Sequence, residues 1–110
     1  MSDRDFLGEF EQLVLLAVAR LQPEGYGTTL REEIEERTGR TVSVGALYAT
    51  RERLERKGWV RSREGEPTSA RGGRAKRHYL LAAAGARALE ASRARLEAMW
   101  QGADVRARRA

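Results

Sequence analysis

Arg71, Gly72, Gly73, Arg74, Lys76 and Arg77 crowd four cations and two glycines into a short stretch of this chain. Glycine lets a backbone come close to a partner, and lysine and arginine neutralise phosphates. A second group, Ser43, Ala46, Tyr48, Ala49, Thr50, Arg53 and Lys57, recurs at helical spacing. It forms a face that is small and polar at first and basic further on. The major groove of DNA is about 12 Å wide and admits one helix, provided the entering face carries no bulky apolar groups. Ser43, Ala46 and Ala49 permit close approach to base edges, and Tyr48, Thr50, Arg53 and Lys57 suit bonds to bases or phosphates. Tyr48 also suits a half-buried core ring, a position from which its hydroxyl still reaches a phosphate. Bond-making chemistry is poorly served. There is no cysteine, which excludes disulfides, thiolate nucleophiles and cysteine-ligated zinc. The lone histidine, His78, has no nucleophile to pair with and makes a histidine-rich metal site untenable. Gly72-Gly73-Arg74 lacks the spacing and the lysine–hydroxyl pair of a phosphate loop. No catalytic residue, metal or cofactor is expected, and the protein is not expected to be an enzyme.

Charge sharpens the reading. The chain has 110 residues, 41% hydrophobic and 34% charged, which fits one folded domain with much solvated helix surface. Residues 1–39 carry a net −5, residues 40–78 a net +7 and residues 79–110 a net +3. Positive charge thus gathers in the middle third, where both candidate groups lie, as expected for a polyanion partner. No apolar run approaches the ~20 residues of a membrane span. The stretch from Met1 to Phe6 is polar and acidic, unlike a secretory signal. A cytoplasmic protein that avoids membranes is expected.

The elements that position these groups can be read from periodicity. Phe6, Phe10, Leu13, Val14, Ala17, Val18 and Leu21 predict a first helix from about Glu9 to Leu21, ended by Pro23 and Gly25, with Leu15 and Leu16 widening its apolar face. Thr28 or Thr29 is expected to cap a second helix, with Glu32 or Glu33 completing a capping box and Gly39 stopping it. Ser43 reads as the N-cap of a third helix that runs to about Lys57, with Val44, Leu47, Tyr48, Leu54 and Gly58 facing inward. Arg51 shares that inner side, where it must snorkel or pair with an acid of the second helix. Trp59 to Arg63 and Arg74 to Leu81 alternate as two strands of a hairpin with a long basic tip. Trp59 is placed to seal that hairpin onto the core. A last helix spans about Ala83 to Gln101, weakened near its start by Gly85. Leu89, Leu96, Met99, Trp100 and Ala103 make an apolar stripe on it, and a protruding stripe asks for a second copy of the chain.

Helix, helix, helix, strand, basic loop, strand and long helix give a fold that is mainly α with a small β-hairpin: a winged helix-turn-helix plus a long C-terminal helix. The expected division is a DNA-binding domain over residues 6–81, a dimerisation helix over 82–104 and a flexible basic tail over 105–110.

Particular runs make the match more specific. They are Leu7-Gly8-Glu9-Phe10-Glu11, Leu13 to Leu21, Tyr26-Gly27 and Arg37-Thr38-Gly39-Arg40. Then come Val42-Ser43-Val44-Gly45-Ala46-Leu47-Tyr48-Ala49-Thr50, Arg53-Leu54-Glu55-Arg56-Lys57-Gly58, Gly65-Glu66-Pro67-Thr68 and Arg71 to Tyr79. Through these the chain resembles a PadR-family transcriptional regulator, of the short subgroup with a single C-terminal helix, over about residues 6 to 103. The resemblance implies a homodimeric repressor that binds double-stranded DNA at an inverted-repeat operator and is released by a small hydrophobic effector. It makes Ser43 to Lys57 the recognition helix, Arg71 to Arg77 the wing and Ala83 to Gln101 the dimer helix. In short relatives, aromatics on that last helix line an effector pocket between subunits, which is one reading of Trp100. The other is plain dimer packing beside Met99, the reading also given to Leu89 and Leu96.

Two positions depart from the family pattern. Arg51 stands where an apolar residue is usual, and Leu81-Ala82-Ala83-Ala84-Gly85 replaces the usual Leu-Thr-x-x-Gly. Loss of the threonine cap should cost on the order of 1 kcal/mol. The competing function is a winged-helix module for protein–protein interaction without DNA. Such a module needs no four-cation wing beside a close-approach helix.

Overall fold

The structure, a computed structural model, describes residues 6–65 and 76–107. Its order is α1 (Glu9–Leu21), α2 (Gly27–Thr38), α3 (Val44–Arg56), β1 (Val60–Glu64), β2 (Arg77–Leu81) and α4 (Ala83–Trp100). This is the expected winged helix-turn-helix with a long C-terminal helix. The two strands pair antiparallel from Val60 with Leu81 to Glu64 with Arg77.

Local chemistry explains the boundaries. Glu11 reaches back to accept from the Gly8 N–H at 2.9 Å, which fixes the start of α1. For α2 the expected threonine cap gives way to Tyr26. Thr29 sits one turn in and accepts from the Tyr26 N–H at 3.0 Å, so the reciprocal half of a capping box is present and Glu32 and Glu33 play no part in it. Gly39 ends α2 at φ 73°, the left-handed conformation glycine tolerates best. Ser43 caps α3 as expected, accepting from the Ala46 N–H at 3.1 Å. Ala82 opens α4 without any side-chain cap.

The core is built where helical faces meet. Val14, Leu15, Ala17 and Val18 of α1 pack with Leu30 and Ile34 of α2 and Leu47 and Leu54 of α3, and Trp59, Val60 and Tyr79 close it from the hairpin side. Trp59 thus joins hairpin to core. Gly85 has a different role from the weakness expected of it. A Cβ there would lie 2.2 Å from the Trp59 carbonyl oxygen, so glycine is what lets the first turn of α4 lie against the hairpin.

α4 leaves the body of the protein. Ala84, Ala88 and Leu89 pack against the core, and Gly85 and Ser92 are buried. Beyond Arg95, whose guanidinium lies 4.2 Å from the centre of the Phe6 ring, the helix is exposed. From Ser92 to Trp100 it runs on for roughly 12 Å at 1.5 Å per residue. Among the described residues, no helix is long and apolar enough to cross a membrane.

Candidate nucleic-acid interface

α3 buries Leu47, Thr50 and Leu54 and turns the rest of its surface outward. Val44, Gly45, Tyr48, Ala49, Glu52 and Arg56 recur in four-residue steps and form one continuous open stripe, with Ser43 and Ala46 beside it. Four expectations are corrected here. Val44 and Tyr48, assigned inward, are 45% and 49% exposed, and Gly58, also assigned inward, is exposed. Thr50, assigned to the binding face, is 3% exposed, so it cannot reach a groove. The reason is phase. Positions 50 and 51 both lie between Leu47 and Leu54 on the helix, and the body takes the smaller residue.

Arg53 and Lys57 lie on the flank of α3 nearest α1. Glu11 of α1, itself only 13% exposed, stands 3.6 Å from the Arg53 Nε and 3.5 Å from the Lys57 Nζ. The Arg53 guanidinium also donates to the Thr50 hydroxyl at 3.3 Å, and the Lys57 ammonium lies 4.6 Å from the centre of the Trp59 ring. Both cations are therefore half engaged within the fold. The sequence spacing alone left them free.

The hairpin supplies the second part of the surface. Arg71, Gly72, Gly73 and Arg74 lie outside the described residues, and so does the start expected for the second strand. Lys76 and Arg77 are described and exposed. The Lys76 ammonium donates to the Tyr26 hydroxyl at 3.1 Å and lies 4.2 Å from the centre of that ring. Arg77 donates to the Ser62 hydroxyl at 2.9 Å, and Ser62 in turn donates to Glu55 at 2.6 Å. His78 stacks on Tyr26, with ring centroids 5.9 Å apart, and its Nδ1 stands 3.9 Å from Glu24. Among the described residues no group of histidine, cysteine or carboxylate side chains could hold a metal ion.

Arg51 neither snorkels nor finds an acid of α2. Its Nη1 donates to the hydroxyl of Tyr79, and its guanidinium lies 4.9 Å from the centre of the Tyr48 ring and 5.2 Å from that of Tyr79. Burial raises the pKa of the Tyr79 hydroxyl above its ordinary value, against the pull of the Arg51 cation. The hydroxyl therefore remains protonated at neutral pH.

A groove of about 640 Å³ runs between α1 and α4. Leu16, Leu89, Leu96 and Trp100 line it, with Glu90 and Arg93 among its polar groups. A smaller hollow of about 190 Å³ lies at the end of α4, among Leu96, Met99, Trp100, Ala103 and Val105. Leu89 is partly buried against the core, whereas Leu96, Met99 and Trp100 are 51%, 77% and 63% exposed. The stripe expected on the last helix is thus open at Leu96, Met99 and Trp100, while Leu89 turns to the core and Ala103 lies past the end of α4.

Residues 15–91 match the model of the transcriptional regulator PadR-like family. Among curated proteins, none matches the chain. Solved structures share its fold. One is a transcriptional regulator from Clostridium thermocellum, with a TM-score of 0.72 at 19% identity, covering 92% of this chain and 92% of that one. Another is a PadR family transcription regulator from Clostridium difficile, with a TM-score of 0.71 at 19% identity, covering 86% and 93%. A third, a PadR family transcriptional regulator from Eggerthella lenta, has a TM-score of 0.66 at 24% identity and covers 86% and 81%.

Proposed function

The chain belongs to the PadR-like family of transcriptional regulators, and we propose that it is a homodimeric repressor which grips an inverted-repeat operator and releases it when a small hydrophobic effector binds. Regulators of this family generally bind DNA, and they are not enzymes. The observation that carries the reading for this chain is the open stripe of α3. Val44, Gly45 and Ala49 leave room for base edges and for thymine methyl groups, and the exposed cations Arg56, Lys76 and Arg77 accompany them. Ser43, Ala46, Tyr48, Arg53 and Lys57 keep their proposed places on or beside that face, while buried Thr50 drops out. Arg71, Gly72, Gly73 and Arg74 continue the hairpin's cationic run in the sequence, and the proposal keeps them as the wing.

The dimer rests on the apolar end of α4. Leu96, Met99 and Trp100 would be covered by the same residues of a second copy, an isologous contact that sets two α3 helices about one DNA turn, or a multiple, apart. The groove between α1 and α4 then offers the effector an apolar wall that includes Trp100. An effector acts by favouring one spacing of the two heads over the other.

The test is binding to the duplex upstream of the protein's own coding sequence, against a scrambled duplex, across a salt series. Tight and selective binding, one dimer to one inverted repeat, with affinity falling steeply as salt rises, is the expected result. Equal, weak binding to both duplexes would put the operator elsewhere. No binding at low salt would overturn the repressor and favour a protein-interaction module.

A further inference from the structure

We propose that Arg51, together with Lys76, forms a seat for one phosphodiester of the DNA backbone at the edge of α3. This rests on the DNA-binding reading above and adds Arg51, which belongs to neither the open stripe nor the wing, as a partner for the wing's Lys76.

A polar hollow of about 240 Å³ lies where α2, α3 and β2 meet, lined by Tyr26, Gly27, Thr28, Tyr48, Arg51, Lys76, Arg77 and Tyr79. Three of these residues are cations and the hollow has no carboxylate in its lining. Tyr48 belongs both to this wall and to the open stripe, so the hollow borders the surface that would face a groove. Phosphates rim a groove, and contacts to them fix the register of a recognition helix.

The state of Arg51 points the same way. Tyr79 accepts from Nη1 and holds the planar head in place between two rings. Nε is closed off from solvent and has no hydrogen-bond partner among the described residues. A guanidinium held by one nitrogen leaves the Nε–Nη2 edge as a fork, the geometry that matches two phosphate oxygens. Tyr48, half exposed, is the part of the wall that would have to give way to admit them. The Lys76 ammonium, resting on Tyr26, supplies a second charge from the hairpin side. The Tyr79 hydroxyl, kept protonated by burial, accepts from Arg51 and retains its own proton to donate. Gly27 and Thr28 begin α2, where backbone N–H groups lack partners within the helix. A purely structural role would be met at less cost by an apolar side chain, because an arginine brings a charge that must be desolvated.

Arg51→Met keeps an unbranched stem of similar length and removes only the charged head. It is compared with the unaltered protein on the upstream duplex across a salt series. The expected result is affinity lower by about ten-fold at low salt and a log–log salt slope shallower by about one per subunit, the signature of one lost phosphate contact. Arg51→Lys should keep the slope while losing part of the affinity, since it keeps the charge and loses the fork. A duplex with single neutral methylphosphonates provides the partner side. One position per half-site should weaken the unaltered protein and leave Arg51→Met unaffected. A slope and affinity unchanged by Arg51→Met, with no methylphosphonate that couples to it, would overturn the phosphate seat alone and leave the repressor standing. A melting temperature that rises with millimolar inorganic phosphate, at matched ionic strength, only when Arg51 is present, with no change in the DNA salt slope, would assign the hollow to a free anion instead. Failure of the unaltered protein to bind any duplex would overturn the repressor and this seat with it.

Discussion

Gly85 and Thr50 show how single residues set this fold against their own local tendencies. Glycine within a helix is ordinarily worse than alanine by about 1 kcal/mol. On that rule Gly85→Ala would stabilise α4. The approach of a new Cβ to within 2.2 Å of the Trp59 carbonyl oxygen reverses the sign, because the backbone fixes where the Cβ lies and its partner is a backbone atom, so neither can rotate away. Overpacking of this kind costs roughly 1–3 kcal/mol. Gly85→Ala should therefore lower the midpoint of urea unfolding, with the slope unchanged. A raised midpoint would mean that α4 can shift off the hairpin at no cost. The sequence shows a glycine near a helix start and nothing of the strand beside it, so this constraint is invisible until the chain is folded. Thr50 carries the same lesson. Leu47 and Leu54 were legible as core, but the residue buried between them depends on how closely α3 lies on the body. A threonine fits that space with its hydroxyl bonded to Arg53, and an arginine does not.

Where a boundary has a local cause that the sequence spells out it was legible, as with Ser43 at the start of α3 and Gly39 at the end of α2, whereas the Glu11 bond that fixes the start of α1 and the Tyr26 cap of α2 were not read. What binds one helix to another was not legible, because it joins residues distant in sequence. Glu33 of α2 is the clearest case. It accepts from Arg20 of α1 at 2.6 Å and from Arg37 one turn along its own helix at 2.8 Å. These two bonds hold its carboxyl below the usual carboxylate range. A group whose folded pKa is depressed contributes stability that is present above its unfolded pKa and is lost as pH falls through the folded one. The stability gap between the unaltered protein and Glu33→Gln should thus be open at neutral pH and close in acid. A gap independent of pH would mean that the carboxylate charge is not what ties α1 to α2. Glu11 makes the corresponding tie to α3, and there the consequence reaches function. Its charge offsets Arg53 and Lys57 at distances of 3.6 and 3.5 Å. Glu11→Gln should free both cations, raising affinity several-fold for any duplex, scrambled or specific, and steepening the salt dependence. It should also lower the melting temperature slightly, since the glutamine oxygen still caps Gly8 but the charged tie from α1 to Arg53 and Lys57 is lost. Unchanged affinity for the scrambled duplex would place Arg53 and Lys57 away from DNA.

At the scale of the whole molecule, the long axis of 63 Å against 31 and 20 Å reflects α4 carrying apolar side chains away from the core. Leu96, Met99 and Trp100 leave half or more of their surface uncovered within one copy of the chain, and the proposed dimer would cover it. Two heads joined rigidly bind two half-sites with an effective concentration that can raise affinity by about 10²–10⁴ over one head alone. Leu96→Asp places a charge in the middle of the proposed contact without touching α3 or the hairpin. It should sediment as a monomer, keep the helical content of the unaltered protein and lose on the order of 100-fold in operator affinity, with little change on a single half-site. The two tryptophans allow the same event to be followed by light. Trp59 is buried within the fold and Trp100 is 63% exposed. Dilution that separates subunits should therefore red-shift emission in the unaltered protein and in Trp59→Phe, and leave Trp100→Phe unmoved. If Leu96→Asp remains a dimer, subunits meet on another surface, and the groove between α1 and α4 then loses its claim to lie between them. If it becomes a monomer while still gripping a half-site, α4 sets the distance between heads. An effector lodged beside Trp100 then has a direct means of changing that distance. Trp100→Ala, in a dimer that still forms, should bind the operator and fail to release it.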